Sequence, residues 1–357
     1  MGLVNAARWA PYLLFGLVLP MNSSLSRLSE GTARTVVGCL CTARFVAGLG
    51  HACTPRGAGL IGWMRVVTMS RERALGLLSR CCAGGVGTRA RVRSDVCGLD
   101  LLIAPYAIAD KVRDQLVRGE GWPRRWMTAW RFGGDEVVWP VRDLASVPLL
   151  GSEPVRRFTW RPRQRHRPGL QFMVSTGRHH GFESLEEQRL LLALDFLQVA
   201  EVLPQPFRLE FQHAEGRAAH TPDFLAIWPD GGRWLFDVRP RRLIGQDDAL
   251  KFAAAWEAAV ACGWRYAVVT GWRSSVFEGL DALSAQRRPM DDLLEVRESL
   301  LYAVAERPLH FGELVASTNW PVVARAHALH LLWHRRLAVD LGEPLGDGSL
   351  IWAGREG

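Results

Sequence analysis

Apolar residues fill 224–228 and dominate 233–238 of HTPDFLAIWPDGGRWLFDVRP (220–240), two short runs of the length and composition of strands. Pro229-Asp230-Gly231-Gly232 lies between the two runs, so a β-hairpin is expected. Upstream, from Glu183 to Phe196, Leu185, Leu190, Leu191 and Leu194 recur at helical spacing, which predicts an amphipathic helix. Short extended segments are expected at Val199–Leu203, Pro206–His213 and Ala219–Trp228. After the hairpin come a helix through Asp247–Cys262 and a buried strand at Tyr266–Thr270. The order αβββαβ predicts an α/β domain over 127–285 with a mixed sheet. Beyond it, Leu293–Ala305, 310–318 and 321–336 read as three helices and 337–341 and 349–353 as two strands. That order predicts a separate α+β domain of winged-helix type at 286–357.

Composition changes the picture at one end only. With 48% hydrophobic and 22% charged residues among 357, the chain has an ordinary globular balance and room for two cores. Residues 1–126 carry 17 Arg and Lys against 7 Asp and Glu, whereas the remainder carries 27 against 29. The high isoelectric point therefore says nothing about DNA binding by the remainder. The first 126 residues lack sustained periodicity, and six cysteines (Cys39, Cys41, Cys53, Cys81, Cys82, Cys97) fall there without the paired CxxC spacing of a zinc site. They are expected to lie outside the fold, as a translated GC-rich frame ahead of a natural start at Met127. The run YLLFGLVLP (12–20) is too short to span a bilayer, although it has the length of a signal-peptide core. Cys262 alone in the remainder fits a reducing cytoplasm, and no membrane partner is expected.

Candidate chemistry gathers at the hairpin. Asp223 and Asp237 stand near the ends of its strands, where two carboxylates on one edge suit a hard divalent cation. Glu187 shares a helix face with Leu190, Leu191 and Leu194 and admits two readings: an acid turned toward the same centre, or the last member of a capping box begun by Ser184. Asp223 also reads as a strand start, and Asp237 as a partner of Arg241 or Arg242. His220 reads as structural or phosphate-binding, and His179 and His180 as DNA contacts in a polar turn. Gln205 reads as holding the strand entry or positioning a water. The chain has two lysines, Lys111 and Lys251, and Lys251 reads as an exposed helix residue or a basic group serving the acids.

Pro222-Asp223, followed 14 residues later by Asp237-Val238-Arg239, resembles the PD-(D/E)xK nuclease signature, with Arg239 where most members carry Lys. Glu183-Ser184-x-x-Glu187, Gln205-Pro206, His220–Phe224 and Asp237–Pro240 follow one another in order. Together they make residues 127–355 resemble the TnsA-like endonuclease subunit of Tn7-type heteromeric transposases, in its actinobacterial form. The resemblance implies a restriction-endonuclease-like core and Mg²⁺, or Mn²⁺ in its place, on Glu187, Asp223, Asp237 and the Val238 carbonyl. Arg239 would place the attacking water or the phosphate; a guanidinium does not serve as a proton acceptor. The implied activity is hydrolysis of the non-transferred 5′ strands at transposon ends, alongside double-stranded DNA, a DDE-type transposase and an AAA+ ATPase. A stand-alone restriction or repair nuclease and an inactive assembly subunit are the alternatives. For DNA contact the sequence offers Arg156, Arg157, Arg161, Arg163 and Arg165, interleaved with Phe158 and Trp160. In the third C-terminal helix it offers Arg325, His327, His330, His334 and Arg335, on a module equally suited to docking a protein.

Overall fold

The computed structural model describes residues 91–156, 168–273 and 275–354. The hairpin forms where the two apolar runs and their turn place it: Phe224–Ile227 pairs antiparallel with Arg233–Val238, with Phe224 opposite Phe236 and Ile227 opposite Arg233. Gly231 turns the chain at φ 81°, a left-handed conformation that glycine adopts without steric penalty. This hairpin is the middle of a five-stranded sheet ordered Ile103–Pro105, Arg265–Trp272, Arg233–Val238, Phe224–Ile227, Glu201–Pro204. Arg233–Val238 and Arg265–Trp272 run parallel, which needs a crossover, and the helix Gln246–Ala261 supplies it.

Alternation along the strands separates the two faces of this sheet. Phe224, Phe236 and Val269 pack with Leu190, Leu191 and Leu194 of the acidic helix, Leu185–Phe196. Leu225 and Leu235 pack against Ala254, Ala255 and Ala258 of the crossover helix. The chain is thus mixed α/β, with this mixed sheet accompanied by antiparallel ones.

The expected single strand over Ala219–Trp228 is broken in two. Gly216–His220 belongs to a second, antiparallel sheet with Arg208–His213, Met127–Phe132 and Asp135–Pro140, whereas Phe224 begins in the central sheet. Pro222 stands at the break and has no N–H to give to a ladder. His179 and His180, expected in a turn, lie in the strand Arg178–Phe182, paired with Gly169–Met173.

The expected boundaries also differ. Residues 91–126 are built into the fold: Ile103–Pro105 is the edge strand against Arg265–Trp272, and Leu102, Leu116 and Trp126 are buried. Apolar side chains in short elements supplied this packing, below the length at which periodicity shows. The three C-terminal helices form at Val296–Glu306, Phe311–Ala316 and Pro321–Trp333. Beside them Leu309–His310, Leu350–Ala353 and Leu337–Ala338 make a small sheet. This module is not set apart: Leu300, Leu331 and Trp333 share one apolar cluster with the acidic helix, and Trp333 meets Phe196 edge-on at 5.4 Å. All described residues belong to the compact unit Ala83–Gly357. The expectations for residues 1–90, with the apolar run at 12–20 and the cysteines up to Cys82, lie outside the described residues. No helix among the described residues is long and apolar enough to cross a membrane.

Candidate active site

Asp223 is the junction of the acids. It follows Pro222 where the chain enters the central sheet. Its N–H donates to the Phe236 carbonyl at 2.9 Å, and its Oδ2 accepts from the Val238 N–H at 2.7 Å. Burial raises its pKa well above the usual carboxylate range, and the charges of Asp237 and Glu187 raise it further; the Val238 hydrogen bond and Arg156 oppose them. An acid crowded by two others in a low-dielectric site is held in an unfavourable state. Val238, expected as a ligand through its carbonyl, enters the site through this N–H.

Glu187 completes the capping box begun by Ser184. Ser184 Oγ caps the helix by accepting from the Glu187 N–H at 3.2 Å and donates to Glu187 Oε1 at 2.8 Å. Glu187 Oε2 accepts from the Glu183 N–H at 2.8 Å. These bonds aim the carboxylate back over the helix start, buried and with its pKa raised by burial. Arg156, ion-paired with Glu183 at 3.4 Å, acts on both Glu187 and Asp223 to favour ionisation. Among the described, sequence-predicted DNA-binding arginines it is thus the one whose charge is felt by the acids. Arg157, Arg161, Arg163 and Arg165 lie outside the described residues.

Asp237 is held differently. By strand alternation it shares the face of Leu235, toward the crossover helix, whereas Phe236 faces the acidic helix. Its Oδ1 pairs with His220 Nε2 at 2.8 Å and its Oδ2 accepts from the Tyr266 hydroxyl at 2.6 Å. His220 packs edge-on to Phe252 of the crossover helix. Burial, and then the charge of Asp237, push the Tyr266 phenol well above its ordinary pKa, so it stays protonated as a donor. Tyr266 escapes a reading of the sequence because an aromatic at a strand start resembles any core residue. Neither Arg241 nor Arg242 takes the place beside Asp237 that the sequence offered them.

The basic residues lie farther out. Arg239 is about half exposed and pairs with Asp248 Oδ2 at 3.5 Å, an exposed contact worth under about 1 kcal/mol and readily exchanged for an anion. Lys251 lies half-buried on the crossover helix, without an ion pair to any described residue.

An oxygen-rich, mutually repelling set suits Mg²⁺, which keeps waters of its own and commonly takes only one or two carboxylates from the protein. Glu187 and Asp223 fit that requirement in charge and donor type. A closed cage is a different matter: among the described residues, no group of three or more His, Cys, Asp or Glu side chains is arranged to hold a metal. A cavity of about 400 Å³ on another side of the acidic helix, lined by Gln171, Gln188, Arg189 and Phe277, contains none of the three acids.

The C-terminal candidates turn inward. His327 and His330 are buried. His327 Nδ1 accepts from Arg297 Nε at 3.2 Å; His330 Nδ1 and His334 Nε2 pair with the carbonyls of Gln286 and Arg287 at 2.8 and 3.1 Å. Arg335 donates to the Cys97 carbonyl. His330 and His334 clasp the loop ahead of the first C-terminal helix, His327 the start of that helix and Arg335 the turn at Cys97, so each is engaged within the protein. Arg325 stays exposed and pairs with Asp347 at 2.6 Å. His180 is likewise buried, its Nε2 2.7 Å from Thr176 Oγ1.

No protein-family model matches the chain, and no curated protein matches it.

Proposed function

We propose that the chain is a metal-dependent DNA endonuclease subunit of a heteromeric transposase, with a restriction-endonuclease-like core, hydrolysing the non-transferred 5′ strands at transposon ends. The observation that carries the chemistry is Asp223, pressed by Asp237 and Glu187 at the end of the central hairpin. The likeness of the ordered motifs to TnsA-like subunits carries the biological setting, including a DDE-type transposase, an AAA+ ATPase and a winged-helix-type C-terminal module.

In this reading Asp223 and Glu187 hold the ion, and Asp237 supplies negative charge from the neighbouring strand while His220 and Tyr266 keep it in place. The chemistry supplied by Mg²⁺ when bound is polarisation of a phosphoryl oxygen and a lowered pKa for water. Arg239, swinging from Asp248, neutralises a phosphate but takes no proton. Arg156 steadies the acids and offers a second phosphate contact.

A second reading, an assembly subunit without catalysis, rests on the absence of a three-ligand set among the described residues and on Arg239 being engaged by Asp248. Reconstitution with the transposase and ATPase on end-containing DNA separates the two. Asp223→Ala that loses only the Mg²⁺-dependent 5′-strand cuts supports the nuclease. Unchanged products in Asp223→Ala support the scaffold.

A further inference from the structure

Five non-glycine residues among those described have left-handed backbone: Gln198, Gln205, Ser275, Glu295 and Arg335. Gln205 is the buried one, at 2% exposure with φ 45°. A side chain in that conformation costs on the order of 1 kcal/mol, and glycine would remove the cost. Burial adds a second penalty. Gln205 Oε1 has no hydrogen-bond partner, and an unsatisfied buried polar atom costs about 1–3 kcal/mol.

The backbone fixes where this strained residue stands. Pro204 pairs with Phe224 in the central sheet, and one residue on, the Gln205 N–H donates to the Asp223 carbonyl at 2.7 Å. The Gln205 carbonyl accepts from the Val155 N–H at 3.1 Å, next to Arg156. The backbone of Gln205 is therefore tied between Asp223 and the residue that precedes Arg156. Packing alone would be served by an apolar residue, and the turn by glycine; strain together with an orphaned buried acceptor points to a ligand.

We propose that Gln205 is a positioning residue of the Asp223 site, its side-chain amide holding a water of the hydrated cation bound there. This rests on the metal-dependent reading above. A neutral amide oxygen adds a hard ligand for that hydration shell without adding to the repulsion among the acids.

The test compares full-length wild type, Gln205→Gly and Gln205→Asn by thermal unfolding in EDTA and with Mg²⁺ alone, and then by 5′-strand cleavage in the reconstituted complex. Without metal, Gln205→Gly is expected to melt no lower than wild type, because relief of strain and of the orphaned oxygen offsets lost packing. Its Mg²⁺-induced rise in Tm should fall below half that of wild type, and its kcat at least about tenfold. Gln205→Asn, which tolerates left-handed backbone and keeps a shorter amide, should fall between. A Gln205→Gly protein that melts several degrees lower in EDTA, or keeps the full Mg²⁺ response, overturns this role alone. Wild type that shows no Mg²⁺ response overturns both this role and the metal-dependent reading.

Discussion

The acid site and the histidine clasp of Pro321–Trp333 are both buried polar clusters, and they differ in whether their demands are met. His327, His330 and His334 each find a partner on the adjoining loop or helix, which is how buried polar groups contribute to stability. Asp223 has a hydrogen bond yet remains crowded by Asp237 and Glu187, and the Gln205 Oε1 beside it has no partner. Satisfied networks specify a fold, whereas crowded buried charge is what the proposed function draws on.

The sharpest break between the regions is expected in activity. Asp223→Ala should lower 5′-strand cleavage by at least about 10³-fold, on the order of 4 kcal/mol in the barrier, while leaving the metal-free protein as stable as wild type or more so. His330→Ala should do the reverse. It leaves the Gln286 carbonyl unpaired and opens a cavity, destabilising by about 2–3 kcal/mol in denaturant titrations, while the Mg²⁺ response is kept.

The pH dependences should have opposite signs. Asp223 has a raised pKa in the folded chain, so its stabilising contribution is complete below the unfolded carboxylate range and is lost as pH rises through the folded value. Asp223→Asn should flatten this decline in EDTA, as should saturating Mg²⁺ in the wild type. Burial lowers the pKa of His330, so its contribution is present above the ordinary histidine range and is lost as pH falls through the folded value. His330→Gln should flatten only that acid limb. Tm measured against pH checks both, and parallel slopes would mean that the two clusters do not differ.

The smallest effects should come from the exposed arginines. Arg239→Ala and Arg325→Ala each remove one solvent-facing pair, with Asp248 and Asp347, and should change stability by less than about 0.5 kcal/mol. If Arg239 meets phosphate, Arg239→Ala also flattens the salt dependence of DNA binding by the assembled complex, whereas Arg325→Ala tests the same for the C-terminal module.

What the sequence by itself determined is what repeats over short distances. The apolar runs at 224–228 and 233–238 around a Gly-rich turn set the hairpin, the spacing of Leu190, Leu191 and Leu194 set the acidic helix, and Ser184-x-x-Glu187 was legible as a cap. Only the tertiary structure decided which residues meet across the chain. His220 and Tyr266 reach Asp237 from 17 and 29 residues away, Ile103–Pro105 closes an edge of the sheet against Arg265–Trp272, and the histidines of Pro321–Trp333 turn to the core. The break at Pro222 lay between these cases: proline signalled it, but the existence of a second sheet to receive Gly216–His220 did not show locally. Periodicity is a property of neighbouring residues and survives in one dimension. The placement of a carboxylate beside a histidine, a tyrosine or another acid depends on how whole elements dock, and burial then sets the energy of each charge.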